Sequence, residues 1–347
     1  MNASPTLSHD AILGCLLGAG VGDAIGLPAE GMSRERISRR WKDLRHRFWQ
    51  GTGMFSDDTE HTLMVASALV LHRDDVDAFK RCLGWKLRWW LLGLPAGVGL
   101  STAKAILRLW LGWPASRSGV FSAGNGAAMR SAIIGVVFRD NARKRLTFVE
   151  GCARMTHTDP RAIEAALLVA EAAAQASIHT PTANVLDALN LLVVSSEMQS
   201  HWATLRHALN ERLSVGEFAQ RIGCQHGVSG FAPNTVAVAI YSWLRHRDDF
   251  AEAIRAVIWC GGDTDTVAAI TGGLCGAELG EQAIPNDWLA GINEWPRSIP
   301  YIRKVARALD QADAKPPSMF WPALPLRNLF FLIVVLLHGL RRLLPPY

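Results

Sequence analysis

Glycine recurs every four residues at Gly14, Gly18, Gly22 and Gly26, and again at Gly272, Gly276 and Gly280. Positions four apart share one face of a helix, so each series makes a bare ridge. Glycine in a helix interior costs about 0.5–1 kcal/mol relative to alanine, so the ridges need a compensating interaction. Close approach of two helix backbones provides one. A membrane helix pair of the GxxxG kind is the alternative. The first segment holds Asp23 and reads as too short to span, so the ridges predict tight packing inside a helical domain.

The rest of the chain agrees with a helical reading. Arg161–Ile178 is rich in Ala, Leu and Glu. Pro233–His246 opens on a proline and carries a 3.6-residue apolar period, and Asp249–Cys260 opens on a capping Asp and stops at Gly261. Lys86–Gly119, with its Trp and Gly clusters, reads as helix ends joined by loops, and long alternating strands are missing. The expected fold is all-α: one large helical domain over residues 11–311, then a Pro-containing linker and hydrophobic tail over 312–347. An apolar share of 49% in 347 residues excludes disorder and suffices for a single large core. Six cysteines without a C-x-x-C pair argue against a disulfide scaffold or a structural zinc site. Met1–Asp10 is polar and lacks a basic start followed by an apolar run, so a cytoplasmic location is expected. The net charge is +5, and seven basic residues crowd Ser33–Arg47. That stretch reads first as a solvated helix or loop, and second as a contact for nucleic acid or a phosphate-bearing substrate. No sequence-specific nucleic-acid binding is expected.

Two acidic clusters carry the chemistry. Ser56-Asp57-Asp58-Thr59-Glu60 follows a Gly-rich turn and precedes the apolar run Thr62–Leu71; read alone, it is a helix start with Asp57 as cap and Glu60 completing a capping box. Gly261-Gly262-Asp263-Thr264-Asp265-Thr266 feeds a second helix, Val267–Gly280. A cap explains one Asp there but not two. Asp263 and Asp265 would point about 200° apart on a regular helix, so they converge only if the glycines flex the entry turn. Together the clusters offer four carboxylates and several hydroxyls, all hard oxygen ligands. Gathered carboxylates repel unless protonated or neutralised by cations. Mg²⁺ or Mn²⁺ suits such a set better than Ca²⁺, and four acidic ligands suggest two ions. Three further elements are weaker individually. Glu30 follows Pro28 at the end of the first glycine ridge. Gly124-Asn125-Gly126-Ala127-Ala128-Met129-Arg130 is a small-residue loop that could hold an anion. His157, in Thr156-His157-Thr158-Asp159-Pro160, is either a loop histidine or a substrate contact.

In this order, Gly22-Asp23-Ala24-x-Gly26 with Glu30, Ser56-Asp57-Asp58-Thr59, Gly124-Asn125-Gly126-x-x-Met129-Arg130, His157 and Gly262-Asp263-Thr264-Asp265-Thr266 resemble the ADP-ribosylglycohydrolase family. The resemblance runs from about Ala11 to about Asp310. It implies an all-α domain with a binuclear Mg²⁺ or Mn²⁺ centre. By that resemblance Ser56, Asp57, Asp58, Asp263, Asp265 and Thr266 would ligate the metals, and Glu30, Asp58 and Asp263 would serve in catalysis. Asn125, Gly126 and Met129 would line the diphosphate and ribose pocket, with His157 on the neighbouring wall. The implied reaction is hydrolysis of the glycosidic bond between ADP-ribose and a modified protein side chain or a small ADP-ribosyl compound. Two departures stand out. Ser56 replaces the usual Thr, and Gly97 stands where arginine-directed branches carry an Asp. Two alternatives stay open: a catalytically silent ADP-ribose-binding module, and a metal-dependent hydrolase of another nucleotide-like substrate.

The tail lies outside this resemblance. Asn328–Leu340 is almost wholly apolar between Arg327 and Arg341-Arg342, and thirteen helical residues reach only about 20 Å against a hydrocarbon core of about 30 Å. Pro322 and Pro325 argue against a longer helix upstream. Membrane-surface contact through residues 319–347 is the first expectation, a helix docked on its own domain the second, and a spanning helix the third.

Overall fold

The two glycine ridges pack against each other. Helices α1 (His9–Gly26) and α14 (Thr264–Leu279) run antiparallel with Gly14 against Gly276, Gly18 against Gly272 and Gly22 against Ala268. A methyl group on Gly18 would stand 2.9 Å from the carbonyl carbon of Gly272 and closer still to its oxygen, so only glycine permits this approach. Gly280 caps α14 with φ of 74° and still faces the α1 ridge, its Cα 2.9 Å from where a methyl group on Gly14 would stand. The register has a consequence for the site. It sets the C-terminal end of α1, with Asp23, beside the N-terminal end of α14, with Asp265.

This computed structural model describes residues 8–311 and 313–343; Met1–Leu7, Ala312 and residues 344–347, which carry part of the expectations for the two termini, lie outside them. Among the described residues there are seventeen α-helices and one two-stranded ladder, so the fold is all-α as expected. After α1 come α2 (Arg34–Arg40), α3 (Asp57–His72), α4 (Val76–Leu92), α5 (Leu100–Trp110), α6 (Ala132–Val137) and α7 (Ala142–Arg154). Then follow α8 (Pro160–Ser177), α9 (Thr182–Asn190), α10 (Ser196–Asn210), α11 (Val215–Arg221), α12 (Ala232–Arg245) and α13 (Phe250–Ile258). Beyond α14 lie α15 (Asn286–Ala290), α16 (Ile299–Asp310) and α17 (Ala323–Arg341). The basic stretch contributes α2, and the Trp-rich stretch contributes the end of α4, a loop and α5. Helices α3, α6 and α16 pack around α1, while α8, α12 and α13 pack on α14. The central pair is therefore covered on nearly every side. The segment His9–Ala29 has the length and hydropathy to cross a bilayer, longer than the sequence suggested, yet its apolar stretch from Ala11 onward is buried as the core of the domain.

Local rules account for the helix ends near the site. Ser56, not Asp57, caps α3 by accepting from the Asp58 amide, and Glu60 makes no capping box. Asp159 caps α8 ahead of Pro160, whose fixed φ suits the first turn. Gly261 and Gly262 take φ of 75° and 86°, the flexed entry that the spacing of Asp263 and Asp265 required. These two glycines form strand β2, antiparallel to strand β1 (Met32–Ser33), with Met32 opposite Gly262. The ladder ties the turn after Glu30 to the start of α14.

The tail forms a helix of 19 residues, longer than the thirteen expected. Pro325 falls in its first turn, where a missing N–H removes no helical bond. Arg327 is buried against the domain, donating to the Phe55 carbonyl at 2.6 Å and pairing with Glu294 at 2.5 Å. Asn328 donates to the Gly93 carbonyl at 2.7 Å, and Phe331 and Val334 pack with Leu27, Phe48 and Met54. The tail is thus docked on its own domain through one face.

Candidate metal centre

Asp23 organises the start of α3. Its Oδ2 accepts from the backbone amides of Ser56, at 2.9 Å, and Thr59, at 3.2 Å, and from the Thr59 hydroxyl. The entry of α3 is thereby fastened to the end of α1. Asp58 Oδ2 accepts from Ser56 Oγ and from Thr266 Oγ1, each at 3.1 Å, which joins α3 to α14. One carboxylate oxygen from each of Asp23, Asp58 and Asp265 lies within 4.8 Å of the others, and all three residues are buried. The Oδ1 atoms of these three residues have no hydrogen-bond partner. An orphaned buried carboxylate oxygen is costly, and three such carboxylates brought together fit a divalent cation with hard oxygen ligands.

The electrostatics point the same way. Burial pushes the Asp23 carboxyl up to about 6, against the hydrogen bonds of Thr59 and Ser56 that lower it. Asp58 is raised well above the usual carboxylate range by burial and then by Asp23, Asp57 and Asp263. Asp265 is raised likewise by burial, Glu30, Asp263, Asp58 and Asp23. Asp57 is half-buried at the first position of α3 and is raised by burial and by Asp23, Glu60 and Glu30. Repulsion on this scale is relieved by a bound cation or by protons.

The second wall comes from the loops. Asp263 is the N-cap of α14, but its side chain caps nothing; its Oδ2 accepts from Asn125 Nδ2 at 2.7 Å. The same amide nitrogen donates to Thr235 Oγ1 at 3.1 Å. The small-residue loop rests directly on His157: a methyl group on Gly126 would stand 2.9 Å from the imidazole. His157 is buried and bonded through Nδ1 to Thr156 Oγ1 at 2.8 Å. Burial, with Arg130 nearby, lowers it to about 3, so it is a neutral imidazole. Met129 is buried behind the loop. Glu30 lies at the rim, its residue surface open but its carboxyl turned in, where burial and the charge of Asp263 raise its pKa while Arg342 opposes them.

The structure therefore brings Ser56, Asp58, Asp265 and Thr266 into one cluster, with Asp57 within electrostatic reach of it. It joins Asp263 to Asn125 and places Gly126 on His157. Asp23 was not among the sequence-derived candidates. An Asp inside a glycine-ridged, wholly apolar helix was the signal, because such a residue is rarely buried without partners. The supporting ion pairs behind α3 also escaped the sequence reading. Glu60 pairs with Arg297 and accepts from Trp90 Nε1 at 2.6 Å, and Arg327 stands 3.7 Å from the same carboxylate.

The sequence profile of the ADP-ribosylglycohydrolase family matches residues 4–317. An uncharacterised protein of Archaeoglobus fulgidus is 31% identical over 288 residues, covering 81% of this chain and 90% of its own. The ADP-ribosyl-[dinitrogen reductase] glycohydrolase of Rhodospirillum rubrum is 25% identical over 303 residues, covering 82% and 91%. A solved structure titled ADP-ribosylglycohydrolase-related protein complex superposes with a TM-score of 0.65 at 28% identity, covering 87% of this chain and 97% of that one.

Proposed function

The chain belongs to the ADP-ribosylglycohydrolase family of glycosidic-bond hydrolases, and from that premise we propose that it releases ADP-ribose from modified protein side chains in a metal-dependent reaction. The observation that carries the metal reading is that Asp23, Asp58 and Asp265 each bring a carboxylate oxygen within 4.8 Å of the other two, while each also keeps a buried Oδ1 without a hydrogen-bond partner. Asp58 and Asp265 would hold Mg²⁺ or Mn²⁺ with Ser56, Asp57, Asp263 and Thr266, in a set large enough for two ions. Asp23 acts as a positioning residue, since one of its oxygens is committed to the start of α3. A bound divalent ion would supply charge to hold ribose hydroxyls and to acidify a water.

The protein side chains do the rest. Asn125 spends its amide hydrogens on Asp263 and Thr235, which leaves its Oδ1 to accept from a ligand hydroxyl. The Gly124–Gly126 backbone and Met129 would line the ribose and diphosphate, and neutral His157 would meet the substrate without adding charge. Cleavage develops positive charge at the anomeric carbon, which the surrounding carboxylates stabilise. Glu30, whose carboxyl is raised by burial and by Asp263, would take a proton from water or give one to the leaving group. Position 97 cannot share that role, because Gly97 sits in a left-handed turn of the loop between α4 and α5 and offers no side chain.

The test is ADP-ribose release from arginine- and serine-linked ADP-ribosyl peptides, with Mg²⁺, with Mn²⁺ and after chelation. Release from at least one peptide, abolished by the chelator and restored by metal, is expected. Undiminished release in chelator would overturn the metal role. Binding of ADP-ribose with no release from either peptide would return the silent-module reading.

A further inference from the structure

Helix α17 lies beyond the residues that match the family, and its two faces differ. The inner face is fastened by Arg327 and Asn328, and further along by His338, which bonds the Pro28 carbonyl at 3.0 Å. The outer face is a row of exposed apolar side chains: Leu326, Leu329, Phe330, Ile333, Leu336 and Leu340, between 45% and 66% exposed. Soluble chains rarely leave so long an apolar row uncovered. Indoles continue it on both flanks. Trp321 meets Trp89 with ring centroids 5.5 Å apart, Trp89 meets Trp110 at 6.1 Å, and exposed Trp49 stands beside Leu337. Rings with an apolar body and one polar N–H favour the membrane–water boundary.

Charge selects the occupant. The C-terminal end of α17 carries Arg341 and Arg342, and α2 lies against it, with Arg36 bonded to the Arg342 carbonyl at 2.7 Å. Arg39 and Arg40 on the same helix are exposed. The outer row of α17 carries no acidic side chain with which a second copy could meet these arginines, whereas an anionic leaflet supplies negative charge along the whole face. We propose that the outer face of α17, with its flanking indoles and the arginines of α2, docks the protein flat on an anionic phospholipid bilayer. The helix lies in the interface and does not cross it, because Arg327 and Asn328 stay locked in the domain. The Arg342 side chain bonds the Glu30 carbonyl at 2.9 Å, so docking sets the rim of the carboxylate site close to the bilayer surface.

The experiment is co-sedimentation of the full chain with phosphatidylcholine vesicles, with and without about 30 mol% phosphatidylglycerol. Binding to the anionic vesicles about tenfold or more tighter than to the neutral ones is expected, weakening as salt rises. Leu329→Asp with Leu336→Asp should lose at least about tenfold in affinity while keeping the wild-type helical spectrum, since both positions are exposed. Arg39→Glu with Arg40→Glu should remove the preference for anionic vesicles. The proposal is overturned if the wild type sediments with neither vesicle, or if the leucine variant binds like the wild type. It is also overturned if light scattering shows a dimer that the leucine variant dissociates, which would make this face a contact between copies.

Discussion

Replacing Gly18 with Ala sets two physical effects against each other with opposite signs. Intrinsic propensity favours Ala in a helix interior by about 1 kcal/mol. The new methyl, however, would stand 2.9 Å from the Gly272 carbonyl carbon, where carbon contacts rest at about 3.5–4.0 Å, and nearer still to the oxygen. The obstacle is backbone on both sides, so neither partner can turn a side chain away. Helices α1 and α14 must separate by about 1 Å, which forfeits roughly a quarter to a half of the dispersion energy along their seam. Overpacking costs about 1–3 kcal/mol even where side chains can yield, so the upper end applies here. The net expectation is a loss of about 2 kcal/mol and a fall in Tm of about 3 °C. Gly339→Ala is the control. Gly339 lies in exposed α17 with nothing near its would-be methyl, so propensity acts alone and Tm should hold or rise. Differential scanning calorimetry on both variants decides the matter. A Gly18→Ala variant as stable as Gly339→Ala would refute the claim that the ridges exist for close approach.

Other expectations follow from the site and its supports. Glu30→Gln should lower turnover by about a hundredfold or more while leaving ADP-ribose affinity within about threefold, as isothermal calorimetry beside the release assay would show. Glu60→Gln strips a buried partner from Arg297 and Arg327 and should cost about 3 kcal/mol in urea denaturation; a loss below about 1 kcal/mol would mean the pairs do not brace α3. The pH dependence has a definite sign. His157 is held at about 3 when folded but titrates at its ordinary 6.5 when unfolded, so acid favours unfolding. Going from pH 6.5 to about pH 5 should cost about 1.6 kcal/mol from this group alone. The raised buried carboxylates act with the opposite sign, so the readout is the difference between variants: acidification over that range should lower Tm more in the wild type than in His157→Asn, and parallel slopes would remove the assignment.

What could be read from the sequence depended on the distance over which each signal acts. Glycines four apart report a ridge within a single helix, and Asp57-Asp58 or Asp263-x-Asp265 report a cluster within a single turn. The pairing of the ridges sets a register, Gly18 against Gly272, that no local spacing contains. Asp23 illustrates the result. Its role arises only when α1 lies antiparallel to α14, which puts it beside Asp265 and under the amides of Ser56 and Thr59. Capping was misjudged for a local reason: Ser56 outcompeted Asp57 because the Ser hydroxyl reaches the Asp58 amide, and Glu60 turned inward to Arg297. The tail helix extends past the thirteen apolar residues because Pro325 falls in its first turn, where a proline breaks no helical hydrogen bond. Its docking rests on Arg327 finding Glu294 and Phe55, partners more than thirty residues away or at the other end of the chain.

Metal-dependent chemistry at this site requires that the carboxylates of α3 and α14 hold a divalent cation, with Asp23 of α1 positioning the start of α3 beside them. Anomalous diffraction from crystals grown with Mn²⁺ reads this directly. Peaks lying against the free oxygens of Asp58 and Asp265 are predicted, and they should vanish in Asp265→Asn crystals of unchanged fold. A wild-type map with no anomalous peak at the cluster, at saturating Mn²⁺ and neutral pH, would contradict the central claim.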